Sequence, residues 1–273
     1  MTTMTLTKTP DYTSFADAAL KAAARFWFIV AVAGQWMFAY YIAARYGPAL
    51  RGHFQGWNSG TVHRYVPGDP IGNIAMGVHL LLAVIVTVGG PLQLIPQLRR
   101  LAPSFHRWNG RLYIPAVFVT SIAALYMVWI RGTVGDLLQH LGVSLDALLI
   151  MTFAALALRY AIARDFATHR RWALRLFIVV SGVWVFRVGL MLWILINHGP
   201  AGFDPKTLIG PFISFWSFGN YLLPLAILEI YLRTNDGAAA RGRFVMASAL
   251  VVLTVAMGIG IFMTTVAMWL PHL

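Results

Sequence analysis

The chain has no cysteine among its 273 residues. That excludes disulfides, thiol catalysis, covalently attached c-type haem and cysteine-ligated iron–sulfur clusters. Charge is scarce as well. Asp, Glu, Lys and Arg make up 11% of the residues, where a soluble domain carries about a quarter. There is no HExxH, no GxSxG, no phosphate-cradling glycine loop and no paired carboxylates, so hydrolysis and phosphoryl transfer have no visible machinery. The alternating segments of a membrane β-barrel, ~10 residues each, are also missing.

What is present is apolar. Hydrophobic residues make up 59% of the chain and the mean hydropathy is +0.70. Seven apolar runs, at 22–44, 72–95, 108–130, 139–162, 172–196, 211–232 and 244–269, each approach the ~20 residues that cross a bilayer as helix. The predicted fold is an all-α membrane protein of about seven transmembrane helices. It forms a single domain over 1–273, with a cytoplasmic N-terminal segment at 1–21, a long outer loop at 45–71 and a core at 72–196. The first run lacks a small-residue cleavage site and reads as a helix, not a signal peptide.

The net charge of +12 is unevenly spread. Fifteen basic residues, Arg99, Arg107 and Arg171 among them, fall in segments that an inward N-terminus makes cytoplasmic. The outer loops hold five: Arg45, Arg51, Arg64, Arg131 and Lys206. This bias predicts the N-terminus inside and the C-terminus outside. It assigns the basic charge to topology and anionic lipid, with no call for nucleic acid.

Two stretches echo each other: SFHRWNGRLY at 104–113 and ATHRRWALRLF at 167–177. His79 precedes His106 by 27 residues and His140 precedes His169 by 29. Each unit reads as a helix with an outer-side histidine, a basic inner loop, then a returning helix. Two such units predict a central four-helix bundle from the second to the fifth span, with a pseudo-twofold axis along the membrane normal.

Depth decides which histidines meet. The sixteen residues from His79 to Ile95 cover ~24 Å of helix. His79 therefore lies near the outer face and His106 near the inner one, so they cannot share one metal ion. Two levels remain, His79 with His140 outside and His106 with His169 inside. Paired histidines on facing helices are what a bis-histidine haem b needs. On this reading Gly90 leaves room for a flat porphyrin, and Arg107, Arg111, Arg170 and Arg175 face its propionates. The plainer reading is interface chemistry, with Trp at the headgroups and Arg at the inner leaflet.

Arg187 lies inside the fifth span, eighteen residues after His169, and points the same way if that helix is unbroken. Asp146 is its expected ionic partner; a haem propionate, a quinone or a substrate carboxylate is the alternative. Glu229 is expected to pair with an inner arginine. The sequence GGPLQ at 89–93 and the residues Asn220 and Pro224 suggest local helix breaks. His53 and His63, ten apart in the outer loop, read as loop residues more readily than as a metal site.

From His79 to Arg187 the sequence resembles an uncharacterised prokaryotic family of predicted inner-membrane proteins. The resemblance rests on His79, then Gly90, Pro91 and Gln93, then His106, Arg107, Trp108, Gly110, Arg111 and Tyr113. It continues with His169, Arg170, Arg171, Trp172 and Arg175, and ends at Arg187. It implies a multi-pass protein of the bacterial cytoplasmic membrane and a set of special residues, without an activity. A looser resemblance is to di-haem b-type cytochromes that pass electrons across membranes. They carry four histidines on four consecutive helices, paired at two levels. The departure is His140, which sits at a helix end beside Gln139 and Gly142.

The leading expectation is a b-type haem protein that moves electrons across the bilayer, with a quinone or a redox protein as partner. A non-redox transporter or lipid-handling protein, using Arg187, Asp146 and Glu229 in a polar cavity, is the second. An accessory or assembly subunit with structural histidines is the third.

Overall fold

The computed structural model describes residues 12–52, 57, 58, 65–133 and 135–273. His53, His63, Lys8 and Arg64 lie outside the described residues. The described chain is helical, with one isolated antiparallel bridge between Asp204 and Ile209.

Among the described residues nine α-helices follow one another: α1 (Tyr12–Tyr46), α2 (Pro70–Leu94), α3 (Pro96–Leu101), α4 (Pro103–Tyr126), α5 (Leu137–Ile162), α6 (Phe166–Val180), α7 (Gly182–Ile196), α8 (Pro211–Gly237) and α9 (Ala240–Thr264). Their starts are written in the sequence. Pro70, Pro96, Pro103 and Pro211 each open a helix, where a missing N–H costs nothing. Asp69, Asp136 and Asp165 cap α2, α5 and α6 by accepting from the backbone N–H of Gly72, Gln139 and Thr168. These caps satisfy donors that a helix start leaves open.

Among the described residues six of these segments are long and apolar enough to cross a membrane, or seven if α6 and α7 together count as one bent span. That pair bends by 50° at its break. Ser181 is the single residue between the two halves. A Ser-Gly pair is a known origin of sharp kinks, and here the Ser181 hydroxyl donates to the Phe177 carbonyl at 2.7 Å. The expectation of an unbroken fifth span is thus corrected. So is the expectation of breaks at GGPLQ and at Asn220–Pro224, since α2 and α8 run through both. Neighbouring amides serve the backbone there. Asn109 of α4 donates to the Gly89 carbonyl at 2.9 Å, and Asn220 donates to the carbonyls of Trp216 and Ser217. Proline and glycine are in any case common within membrane helices.

The helices α2, α4, α5 and α6 touch in a closed order: α2 meets α4, α4 meets α5, α5 meets α6 and α6 returns to α2. Val86, Tyr113, Val117, Ala154 and Val179 pack within this ring. The second group is α1, α7 and α9, whose core holds Phe38, Trp184, Val188, Ile261 and Trp269. The helix α8 lies against α5, α6 and α7. Large apolar side chains such as Ile29, Leu148 and Val252 point outward, as hydrocarbon-facing residues do.

Candidate functional site

The two echoing motifs occupy equivalent places. His106 is the fourth residue of α4 and His169 the fourth of α6. They stand on opposite members of the helix ring, and His106 lies within electrostatic range of His169. The His169 ring is fixed by Nδ1, which donates to the Ala157 carbonyl at 2.8 Å. A carbonyl only accepts, so Nδ1 carries the hydrogen and Nε2 of the neutral ring is left with a lone pair. His106 Nδ1 is buried without a hydrogen-bond partner. The Gln93 amide donates to the His106 carbonyl at 3.1 Å and ties α2 to the start of α4.

The arginines around this pair are already engaged to different degrees. Arg175 pairs with Glu229 and lies over the Trp172 ring, 4.7 Å from its centroid. Glu229 thus finds its inner arginine on α6. Arg111 lies over Trp108 at 5.0 Å and Arg107 donates to the Ser104 hydroxyl at 3.0 Å. Arg171 pairs with Asp236 of α8. Arg170 is exposed.

His79 and His140, the pair expected at the outer level, have separate surroundings. His140 sits at the start of α5 with its ring edge-on to Trp129, at 6.0 Å, and its Nε2 buried without a partner. His79 donates from Nδ1 to the Thr120 carbonyl of α4 at 3.1 Å, which supplies the polar partner that an intramembrane histidine needs. His79 lines a cavity of about 120 Å³ between the ring and the helices α1 and α7; His140 does not.

That cavity brings together residues the sequence scatters. Gln35 of α1, Thr87 of α2, Ser121 of α4, Asp146 of α5 and Ser181 at the kink share its wall with His79. Gln35 donates through Nε2 to the Ser181 hydroxyl at 2.8 Å, fastening α1 to the bend. Gln35 was legible as a lone amide in an apolar run; the kink at Ser181 was not, and nothing in the sequence says that Gln35 and Ser181 share a wall with His79.

Every other described acidic side chain has a task. Asp69, Asp136 and Asp165 cap helices. Asp17, Glu229 and Asp236 pair with arginines, and Asp204 closes a turn by accepting from the Lys206 N–H. Asp146 alone among the described residues has none: its Oδ1 is buried without a hydrogen-bond partner. A Cβ added at Gly182 would lie 2.9 Å from Asp146 Oδ2, so the carboxyl rests against the backbone at the start of α7.

The expected Asp146–Arg187 pair does not form. The kink turns α7 away from the line of α6, and Arg187 lies over the Phe38 ring of α1, 5.1 Å from its centroid. It also donates to the Val183 carbonyl at 2.9 Å. His169 and Arg187 therefore do not share a face, because the helix that would align them is broken. The room expected beside Gly90 is filled. A Cβ there would meet the Tyr113 hydroxyl at 3.2 Å and the Phe177 ring at 3.6 Å.

Fold and site together define a polytopic α-helical membrane protein with a largely apolar cavity between its spans, carrying a few polar groups, and a histidine pair near one end of the ring. Residues 76–216 match the family described as predicted membrane protein (DUF2306), and the chain belongs to that family. The match takes in His79, His106, Asp146, His169 and Arg187. No curated protein and no solved structure matches the chain.

Proposed function

We propose that the chain is a b-type haem protein of the bacterial cytoplasmic membrane, with His106 and His169 as the two axial ligands. The observation that carries this is the His169 ring, held through Nδ1 by the Ala157 carbonyl with Nε2 left to bind. Metal-ligating histidines are oriented by such a bond on the second nitrogen. The buried, unpartnered Nδ1 of His106, on the opposite helix of the ring, fits the same role from the other side.

When bound between two imidazoles, haem carries one electron at a time. The chain's own residues orient it. Gln93 fixes the backbone that presents His106. Arg107 and Arg170 would pair with the propionates, since Arg175 is committed to Glu229. The reading takes α2, α4, α5 and α6 as the central bundle, with its basic end in the cytoplasm, and a quinone or redox protein as the exchange partner.

The test is a reduced-minus-oxidised visible spectrum of detergent-purified protein made with ample haem. A sharp low-spin α-band, lost in both His106→Ala and His169→Ala, is the expected result. A flat spectrum in the wild type overturns the reading.

A further inference from the structure

We infer that the cavity between His79 and Asp146 is a binding site for a small ammonium group, separate from the histidine pair at the end of the ring. The argument starts from hydrogen-bond capacity. His79 spends its Nδ1 hydrogen on Thr120, so the neutral ring offers Nε2 as an acceptor. Gln35 gives one amide hydrogen to Ser181 and leaves Oε1 as an acceptor. Asp146 adds a carboxyl oxygen with no partner. The wall also holds the unpartnered indole N–H of Trp184, but its free acceptors outnumber that donor and one of them is a carboxyl, so what fits it is a ligand rich in donors. An ammonium has up to four N–H donors and the charge that complements a carboxylate.

The sign of the charge follows from what is absent from the wall. Asp146 is the ionisable acid lining the cavity, and no lysine or arginine lines it. Arg187 lies over Phe38 and within electrostatic range of His79, but behind the wall and not in its lining. An isolated carboxylate in a membrane is costly, ~3 kcal/mol or more by insertion scales. A bound cation relieves that cost, and an anion would add to it. Phe38, Phe177 and Trp184 supply aromatic surface on the same wall, and ring faces attract ammonium groups.

Size sets the class further. The cavity of about 120 Å³ is smaller than the ~150 Å³ pocket that holds a benzene. Ammonium or methylammonium fits; a porphyrin or a lipid headgroup with its chains does not. The site also lies where the α6–α7 span is interrupted, which is where membrane proteins that handle small solutes place their binding groups.

The test is thermal unfolding and titration calorimetry of the full chain in detergent, at constant ionic strength. The probes are methylammonium, ammonium, tetramethylammonium and potassium chlorides. Methylammonium or ammonium is expected to stabilise the protein and to give a saturable heat, and whichever binds more tightly identifies an organic or an inorganic source. Tetramethylammonium, which has no N–H, and potassium are expected to give neither. Asp146→Asn is expected to weaken binding by roughly tenfold or more, the worth of a charge-assisted hydrogen bond. Equal responses to all four salts, no response to the two N–H donors, or unchanged binding in Asp146→Asn would each overturn the site. Should Asp146→Asn not fold, Ala124→Leu fills the cavity from α4. Lost binding there supports the site and retained binding overturns it.

Discussion

Arg175 holds Glu229 through two parallel hydrogen bonds, Nε to Oε1 at 2.6 Å and Nη2 to Oε2 at 2.9 Å. The pair joins α6 to α8 and is partly shielded, with the two side chains 17% and 34% exposed. Planar two-point contact is what a guanidinium offers and an ammonium does not. Arg175→Lys is therefore expected to behave as a disruptive change. A loss of about 2 kcal/mol, below the range for fully buried pairs, should appear as an earlier thermal unfolding in detergent. Glu229→Gln should cost a similar amount, and the double variant less than the sum. Full additivity would show that the two residues do not interact.

Arg164 closes α5 in a left-handed conformation, with φ of 59°. Its N–H donates to Ala161 at 3.1 Å, and that of Asp165 to Tyr160 at 3.0 Å. This bond pattern ends helices and favours glycine at the left-handed position. Arg164→Gly should therefore stabilise the α5–α6 turn, by about 1 kcal/mol from relieved backbone strain. A lower melting temperature in that variant would contradict the assignment.

Asp136 couples local structure to pH. The backbone N–H of Gln139, and then the Ser214 hydroxyl, hold its carboxyl below the usual carboxylate range. A depressed folded-state value means that the ionised form stabilises the fold. The contribution is complete above the unfolded carboxylate value of about 4 and is lost as pH falls through the folded one. Asp136→Ala should cost about 1 kcal/mol near neutral pH, as lost caps do. The gap between variant and wild type should close in acid. A gap that stays constant down to the acid limit would remove the carboxylate from the explanation.

Gly189 on α7 faces the Trp216 ring of α8, and an added Cβ would lie 2.1 Å from Trp216 Cζ2. The indole cannot retreat freely, because its N–H donates to the Phe186 carbonyl at 3.0 Å and its ring stacks with Phe212. Gly189→Ala is expected to destabilise by about 2 kcal/mol or more, the cost of overpacking a filled contact. Unchanged stability, measured by thermal unfolding, would mean that α7 and α8 separate more easily than their packing suggests.

The seven spans were legible because hydropathy is a local property, and a run of apolar residues declares itself without its neighbours. The places of His106 and His169 were legible for the same reason, since each stands beside a helix start marked by polar residues. The kink was not read, because Ser181 and Gly182 sit in a run that looks uniformly apolar, while Pro91 and Pro224 drew the expectation of breaks. Asp146 and Arg187 were paired by depth alone. Depth along two helices fixes height but not azimuth, and the 50° bend changes the azimuth of everything after it. The cavity was invisible for a related reason. Its polar members come from α1, α2, α4, α5 and the kink, and which of them face inward depends on how five helices rotate against each other.

The bend at Ser181 also gives one span two allegiances. Its lower half packs with α5 in the ring, and its upper half packs with α9. The upper half has fifteen residues, a lever of about 22 Å. Opening the bend by about 10° would swing the outer tip of that lever by about 4 Å. The two groups of helices would shear past each other without either one unfolding. The pivot of that motion is the seryl hydroxyl that Gln35 clasps.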